Sequence, residues 1–266
     1  MGKENKTANA KALGIARSTL YYKPRLPDKD WILKCDIEKV LRKHPSYGHK
    51  RLAIELKVNK KRILRVMKKF GIKPYRRRGR KWKNPNKAHI KIRYPNILMT
   101  VSPSCPHHVW ATDFTHLWFQ DEWLYVCTFM DLFTRRVVGF SVLKNHSVQL
   151  VINAFFSAIN KHPVPQIVHS DNGSEYDSKD FIQILNNLGI RISRSAPGCP
   201  WENGYQESFY NQFKVDLGDP SRFNTLGELV YEVYKTIHTY NNTRIHTALR
   251  MSPKDFNLQY QLAQTS

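Results

Sequence analysis

Between residues 109 and 217 the chain alternates short apolar runs with helical ones, and their order leaves few folds open. Apolar runs at 109–116, 122–131 and 136–142 read as strands, with Leu132-Phe-Thr-Arg135 short enough for a hairpin turn. An amphipathic helix follows at 148–159, then a strand at 167–170. Ser178 caps a helix running to about 188, Gly189 stops it, and 190–194 makes a fifth strand. A helix from about 202 and a last one at 226–240 complete the series. A hairpin followed by strand–helix alternation predicts an α/β fold, a mixed five-stranded sheet with helices on both faces.

The net charge of +22 is confined to one end of the chain. Residues 1–100 hold 30 of the 43 Lys and Arg but 6 of the 21 Asp and Glu. Such asymmetry predicts a polyanion-binding arm joined to a body with another task. The four cysteines lie apart without a Cys-x-x-Cys pair, which argues against a structural zinc or a disulfide framework and fits a reducing cytoplasm. No apolar run approaches 18 residues and no signal-peptide pattern is present, so no membrane role is expected.

The basic arm divides further. Residues 1–27 read as the latter part of a helix-turn-helix, with Leu13-Gly14-Ile15 as helix stop and Ser18 as the next cap. Residues 28–73 read as three helices, the third capped by Asn59 and stopped by Gly71. That third helix carries Lys60, Lys61, Arg62, Arg65, Lys68 and Lys69 with almost no acidic partners, which suits a DNA groove or its phosphates. Residues 74–102 form a basic linker in which Arg76, Arg77, Arg78 and Arg80 are interleaved with aromatics, expected to order on DNA. Residues 103–266 read as the α/β body with a helical tail.

Three acids stand out in that body. Asp113 shares a strand face with Val109, Ala111 and Thr115, where an unligated charge is costly. Asp171 ends Gln166-Ile-Val-His-Ser-Asp171 and precedes Asn172-Gly173. On a neighbouring parallel strand it would emerge beside Asp113, where open sheets place their ligands. Glu207 follows 35 residues later. On its helix Tyr205, Phe209, Phe213 and Leu217 are expected to face inward, while Glu207, Asn211 and Lys214 form a polar stripe. Carboxylates gathered in one place repel unless cations sit among them, and oxygen ligands favour Mg²⁺ or Mn²⁺. Asp131 falls at a hairpin corner and is assigned to the turn, Glu175 and Asp177 to loop surface, and Arg191 and Arg194 to DNA backbone. His107, His108, His116 and His169 fit no zinc spacing.

Trp110-Ala-Thr-Asp113-Phe-Thr, His169-Ser-Asp171-Asn-Gly-Ser-Glu-Tyr and Glu207-Ser-Phe-Tyr-Asn together resemble the DDE signature of retroviral-integrase-like transposases. Lys214, seven after Glu207, resembles the basic residue of insertion sequence family three. Tyr47-Gly-His-Lys-Arg-Leu and Tyr240-Asn-Asn-Thr-Arg-Ile-His-Thr-Ala-Leu resemble segments before and after that family's core. The resemblance implies a ribonuclease-H-like integrase core, with Asp113, Asp171 and Glu207 catalytic and holding two Mg or Mn ions. It implies that double-stranded DNA at the element ends and the target is the substrate, with Lys214 and Asn211 on phosphate or a terminal base. It further implies a homo-oligomer on DNA and an upstream-frame protein or fusion that completes the short first arm. A DNA-binding regulator with an idle core and a ribonuclease-H-type nuclease are the competing functions; the acid triad and the basic arm respectively argue against them.

Overall fold

A computed structural model of the chain describes residues 6–21, 26–76, 94–196 and 199–265. Its first helix, α1 (Lys6–Ala12), ends at Gly14 in the left-handed region, and residues 17–21 then form a 3₁₀ turn where a second short helix was expected. Three helices follow: α2 (Leu26–Lys43), α3 (His49–Glu55) and α4 (Lys60–Lys69). Asn59 caps α4, its Oδ1 accepting from the Lys61 amide at 2.8 Å, and Gly71 at φ 65° terminates it. Their apolar faces form a separate core of Leu33, Ile37, Leu52, Ile63, Val66 and Met67, closed from the far end of the chain by Ile245.

The body is a five-stranded sheet in the order β3-β2-β1-β4-β5. β1 (Val109–Phe119) and β2 (Glu122–Asp131) are antiparallel. Gln120 and Asp121 join them, both at positive φ, in the two-residue turn that matches strand twist. β3 (Val137–Leu143) pairs antiparallel with β2 after a turn that Asp131 holds, accepting from the Phe133 amide and the Thr134 hydroxyl. β4 (Ile167–Ser170) and β5 (Arg191–Arg194) run parallel to β1.

Strand alternation sorts the side chains between two cores. Trp110, Phe129 and Val168 face α5 (Val148–Ile159) and α6 (Lys179–Asn187). Leu117, Val126 and Met130 face α7 (Gly204–Leu217) and α8 (Leu226–Asn242). The tail turns back through a bridge between His246 and Met251 and ends in α9 (Pro253–Thr265), whose Phe256 and Tyr260 pack on Phe133.

The closest approach of helix to sheet is at Gly139 on β3. A Cβ there would stand 2.5 Å from Ala158 Cβ and 2.6 Å from the Ala154 carbonyl oxygen on α5. Gly139→Ala is therefore expected to lower stability by about 1–3 kcal/mol, read as a shift in urea midpoint at unchanged slope. An unshifted midpoint would mean that α5 can slide away at no cost.

Candidate active site

Parallel pairing sets the level of the two aspartates. The β1–β4 register matches Val109 with Ile167, Trp110 with Val168 and Ala111 with His169. Asp113 lies two residues further along β1, opposite Thr128 on the side that α7 covers, and Asp171 directly follows the last residue of β4. Adjacent strands are about 4.8 Å apart, so these side chains emerge as neighbours. Each carboxylate has one oxygen tied to backbone: Asp113 Oδ1 accepts from the Phe114 amide at 2.8 Å, and Asp171 Oδ1 from the Gly173 amide at 3.0 Å. Among the described residues no Lys or Arg forms an ion pair with either.

The electrostatics follow from this crowding. Burial, then the Asp171 charge and more weakly Glu207, push the Asp113 carboxyl up to about 7. Asp171 is also raised, chiefly by burial, with the Gly173 amide and Arg194 pulling the other way and the Glu175 charge adding to the rise. Glu207 lies on the exposed side of the first turn of α7. Among the described residues no three His, Cys, Asp or Glu side chains stand close enough together to hold a metal ion. The fold brings the two aspartates together and leaves the glutamate at their edge.

α7 is fixed across β1 and β2 by polar side chains that apolar periodicity does not identify. Gln206 Nε2 donates to the Ala111 carbonyl at 2.7 Å, and Asn203 Nδ2 to the Thr112 carbonyl at 3.2 Å. The Tyr210 hydroxyl donates to the Asp113 carbonyl at 2.7 Å and lies 2.9 Å from Thr128 Oγ1. The helix is therefore rotated from the expected setting: Gln206 and Tyr210 are buried with Phe209, Phe213 and Leu217, while Tyr205 is 44% exposed. Tyr205 instead stacks under the Arg135 guanidinium, 3.9 Å from its ring centre. Hydrogen bonds to strand carbonyls outweigh the gain from burying one more ring, because an unpaired buried carbonyl costs about 1–3 kcal/mol. Asn211 is exposed and Lys214 half-buried, both on the Glu207 side. Glu202 Oε2 accepts from Asn96 Nδ2 at 2.7 Å and the Ala196 amide at 2.6 Å, tying down both ends of the loop before α7.

Several sequence expectations change. Arg194 is not a DNA contact: it is 2% exposed, donating to Ser170 Oγ at 2.7 Å and the Tyr176 carbonyl at 2.6 Å. Glu175 is not loop surface but is buried, 3.1 Å from His146 Nδ1. His169 is buried with Nδ1 2.8 Å from Ser193 Oγ, and burial and Arg194 lower it to about 4, so it is neutral at working pH. On α4, Arg65 and Lys69 reach back to the buried Asp30 at 2.6 and 3.2 Å, and Arg62 to the Lys29 carbonyl. These contacts occupy the three side chains in helix packing, yet Arg65 and Lys69 remain exposed, as are Lys60, Lys61, Lys68 and Arg76. Arg77, Arg78 and Arg80 lie outside the described residues.

Integrase core domain profiles match residues 103–200 and 188–253. The chain is 34% identical over 237 residues to the transposase for insertion sequence element IS904 of Lactococcus lactis, covering 85% of this chain and 93% of that one. It is 30% identical over 226 residues to transposase InsF for insertion sequence IS3A of Escherichia coli, 81% and 78% of the two chains. Among solved structures it is similar to a chain of the simian T-cell lymphotropic virus intasome in complex with PP2A regulatory subunit B56 gamma, with TM-score 0.53 and 18% identity over 79% of this chain and 70% of that one. At that identity the likeness is one of fold, a ribonuclease-H-like integrase core.

Proposed function

Since this chain belongs to the DDE-type transposases of the IS3 family, we propose that it cleaves its element's DNA ends and transfers the freed strand, using Asp113, Asp171 and Glu207. In the first reaction water attacks a phosphodiester at the element end. The bond to the 3′ oxygen breaks, giving a 3′ hydroxyl and a 5′ phosphate on the flank. In the second that hydroxyl attacks a target phosphodiester, joining the element and displacing the target's own 3′ oxygen.

The observation that supports this most is that Asp113 on β1 and Asp171, directly after the parallel strand β4, lie close enough for one charge to act on the other, with no Lys or Arg ion-paired to either among the described residues. A raised Asp113 carboxyl is the mark of a site built for a charge it does not itself contain. Hard oxygen donors with no competing thiolate fit Mg²⁺ or Mn²⁺. Two ions held by Asp113, Asp171 and Glu207 would activate the attacking oxygen and steady the leaving one. Glu207 would turn inward from its exposed setting on a helix already pinned by Gln206 and Tyr210, at a place where its charge already acts on Asp113.

The remaining residues position DNA. Asn211 and Lys214 flank Glu207 on the same stripe and would hold a phosphate or terminal base. Lys60, Lys61, Lys68 and Arg76 would contact the duplex with the linker arginines Arg77, Arg78 and Arg80. Residues 28–73 would act as the DNA-binding unit, with 1–27 completed by an upstream-frame partner. Bringing two element ends together calls for at least two copies on DNA.

The deciding experiment incubates the protein with labelled duplexes carrying the element's termini, with and without Mg²⁺. Metal-dependent nicking at the end followed by joined products is expected. Stable binding with neither product would leave the regulator with an idle core, and cleavage of RNA–DNA hybrids in preference to duplex DNA would favour the nuclease.

A further inference from the structure

A second site lies away from the acids, where α3 and the start of α4 face the turn at residues 247–250. A cavity of about 650 Å³ opens there, within the size range of specific ligand sites. Lys50, Lys57 and Lys60 line it from the helical unit, and Arg250 from the chain's tail. Among the described residues none of these four is ion-paired to a carboxylate. Four gathered cations repel one another unless an anion lies among them.

The floor is different. Ala53, Ile54 and Val58 present apolar surface to the same cavity. Two of the cations are placed at a conformational cost: Lys57 has φ 52° and Arg250 φ 61°, a region that side chains other than Gly, Asn and Asp seldom adopt. Arg250 is fixed in the turn by its amide, which donates to the His246 carbonyl at 2.7 Å. The first turn of α4 adds Lys60 and Lys61 and holds no acid, the reverse of what the helix dipole prefers in an isolated helix. An anion in the cavity would offset the charge repulsion and the unfavourable start of α4, while the backbone cost marks cations held in place.

We propose that this cavity seats the backbone of a DNA strand, its phosphates on Lys50, Lys57, Lys60 and Arg250 and a deoxyribose face on Ala53, Ile54 and Val58. The ligand class is a phosphodiester chain, because a cationic rim around an apolar floor matches the alternation of phosphate and sugar. The tail is thereby part of the DNA-contact surface, which the basic arm alone does not account for. This rests on the reading of the protein as DNA-acting but not on the acid triad.

The test is a titration of the full chain against a fluorescein-labelled duplex, followed by anisotropy across a NaCl series. The variant is Lys57→Gly with Arg250→Gln; glycine at Lys57 removes the charge and suits the backbone there, so folding is kept. Loss of two phosphate contacts should weaken binding about tenfold or more at low salt and flatten the slope of log affinity against log salt by about 1.8. A control, Lys144→Gln with Lys235→Gln, removes the same charge from side chains already paired with Glu122 and Glu232 and should leave the slope unchanged. An unaltered slope in the cavity variant, or an equal change in the control, overturns the site. Failure of the wild-type chain to bind DNA at all would instead overturn the functional reading along with it.

Discussion

Asp113→Asn is expected to abolish strand cleavage, by about a thousandfold or more, while binding to element ends survives and the metal-free protein becomes more stable at alkaline pH. On the proposed reading the loss follows from removing one of two adjacent carboxylates that would hold a cation, which would supply several kcal/mol at the transition state; about 4 kcal/mol is a thousandfold in rate. The gain follows from the carboxyl's raised pKa of about 7 against 3.8 in an ordinary setting. The native state then binds more protons than the unfolded one between roughly pH 4 and 7, so this group's contribution declines as pH rises through that window. Above it the wild-type chain carries an unpaired charge beside Asp171. The shift sets an upper limit of about 4 kcal/mol, and since Asp113 is only half-buried a gain of about 1–3 kcal/mol is the reasonable expectation for Asn at pH 8.

Melting curves of both proteins at pH 4.5 and pH 8, with and without Mg²⁺, measure this directly. The two should nearly coincide at the acid end and separate at the alkaline end, with Asn higher. Added Mg²⁺ should raise the wild type toward or past the variant and do little for the variant. Equal curves at pH 8 would mean that Asp113 is hydrogen-bonded and relaxed, and a merely structural aspartate would be destabilised by the change at both pH values.

The residues that made the fold readable are those whose pattern is local. β1, β2, β4 and α5 fall where apolar alternation and helical spacing put them, because each element buries one face against a continuous core. The nearness of Asp113 and Asp171 was legible for the same reason: parity along β1 fixes the face of Asp113, and the parallel neighbour β4 delivers Asp171 at its end. What escaped depends on partners distant in sequence. Arg194 reads as a surface cation until Ser170 of β4 and the Tyr176 carbonyl in the turn after it are seen to receive its guanidinium. Tyr205 reads as a core residue until Gln206 claims the inward position by bonding the Ala111 carbonyl. Arg65 and Lys69 give no sign in the sequence of their second task, the pairing with Asp30 on another helix. Charge counts locate a basic arm, but tertiary pairing decides which of its cations remain for a ligand.

The same limit hid the joint between the helical unit and the body, and its disruption is the second large effect expected. Arg244 is 3% exposed. Its Nε donates to Asp216 Oδ2 at 2.6 Å, and its terminal nitrogen to Gln212 Oε1 at 2.6 Å and to Ser46 Oγ. Ser46 also donates to Asp216 Oδ1 at 3.0 Å, and the Ile245 amide donates to the Tyr47 hydroxyl at 2.7 Å. Gln212 and Asp216 lie on α7, the helix that carries Glu207, so one network ties the α2–α4 unit, the tail and that helix together. Asp216→Ala leaves a buried guanidinium without its counter-charge and is expected to cost about 3 kcal/mol, toward the lower end for such losses because water reaches part of the Asp216 side chain. Arg244→Met with Asp216→Leu should cost less than Asp216→Ala alone, since no charge is then left stranded. Urea denaturation of Arg244→Met, Asp216→Leu and the double variant closes the cycle, and a coupling of at least about 1.5 kcal/mol is expected. Additive costs would mean that the pair is incidental, with the two units held by other links such as Tyr47 with Ile245 and Arg51 with Gln212; strong coupling would make the buried ion pair a main determinant of how α7 and the basic helices are placed.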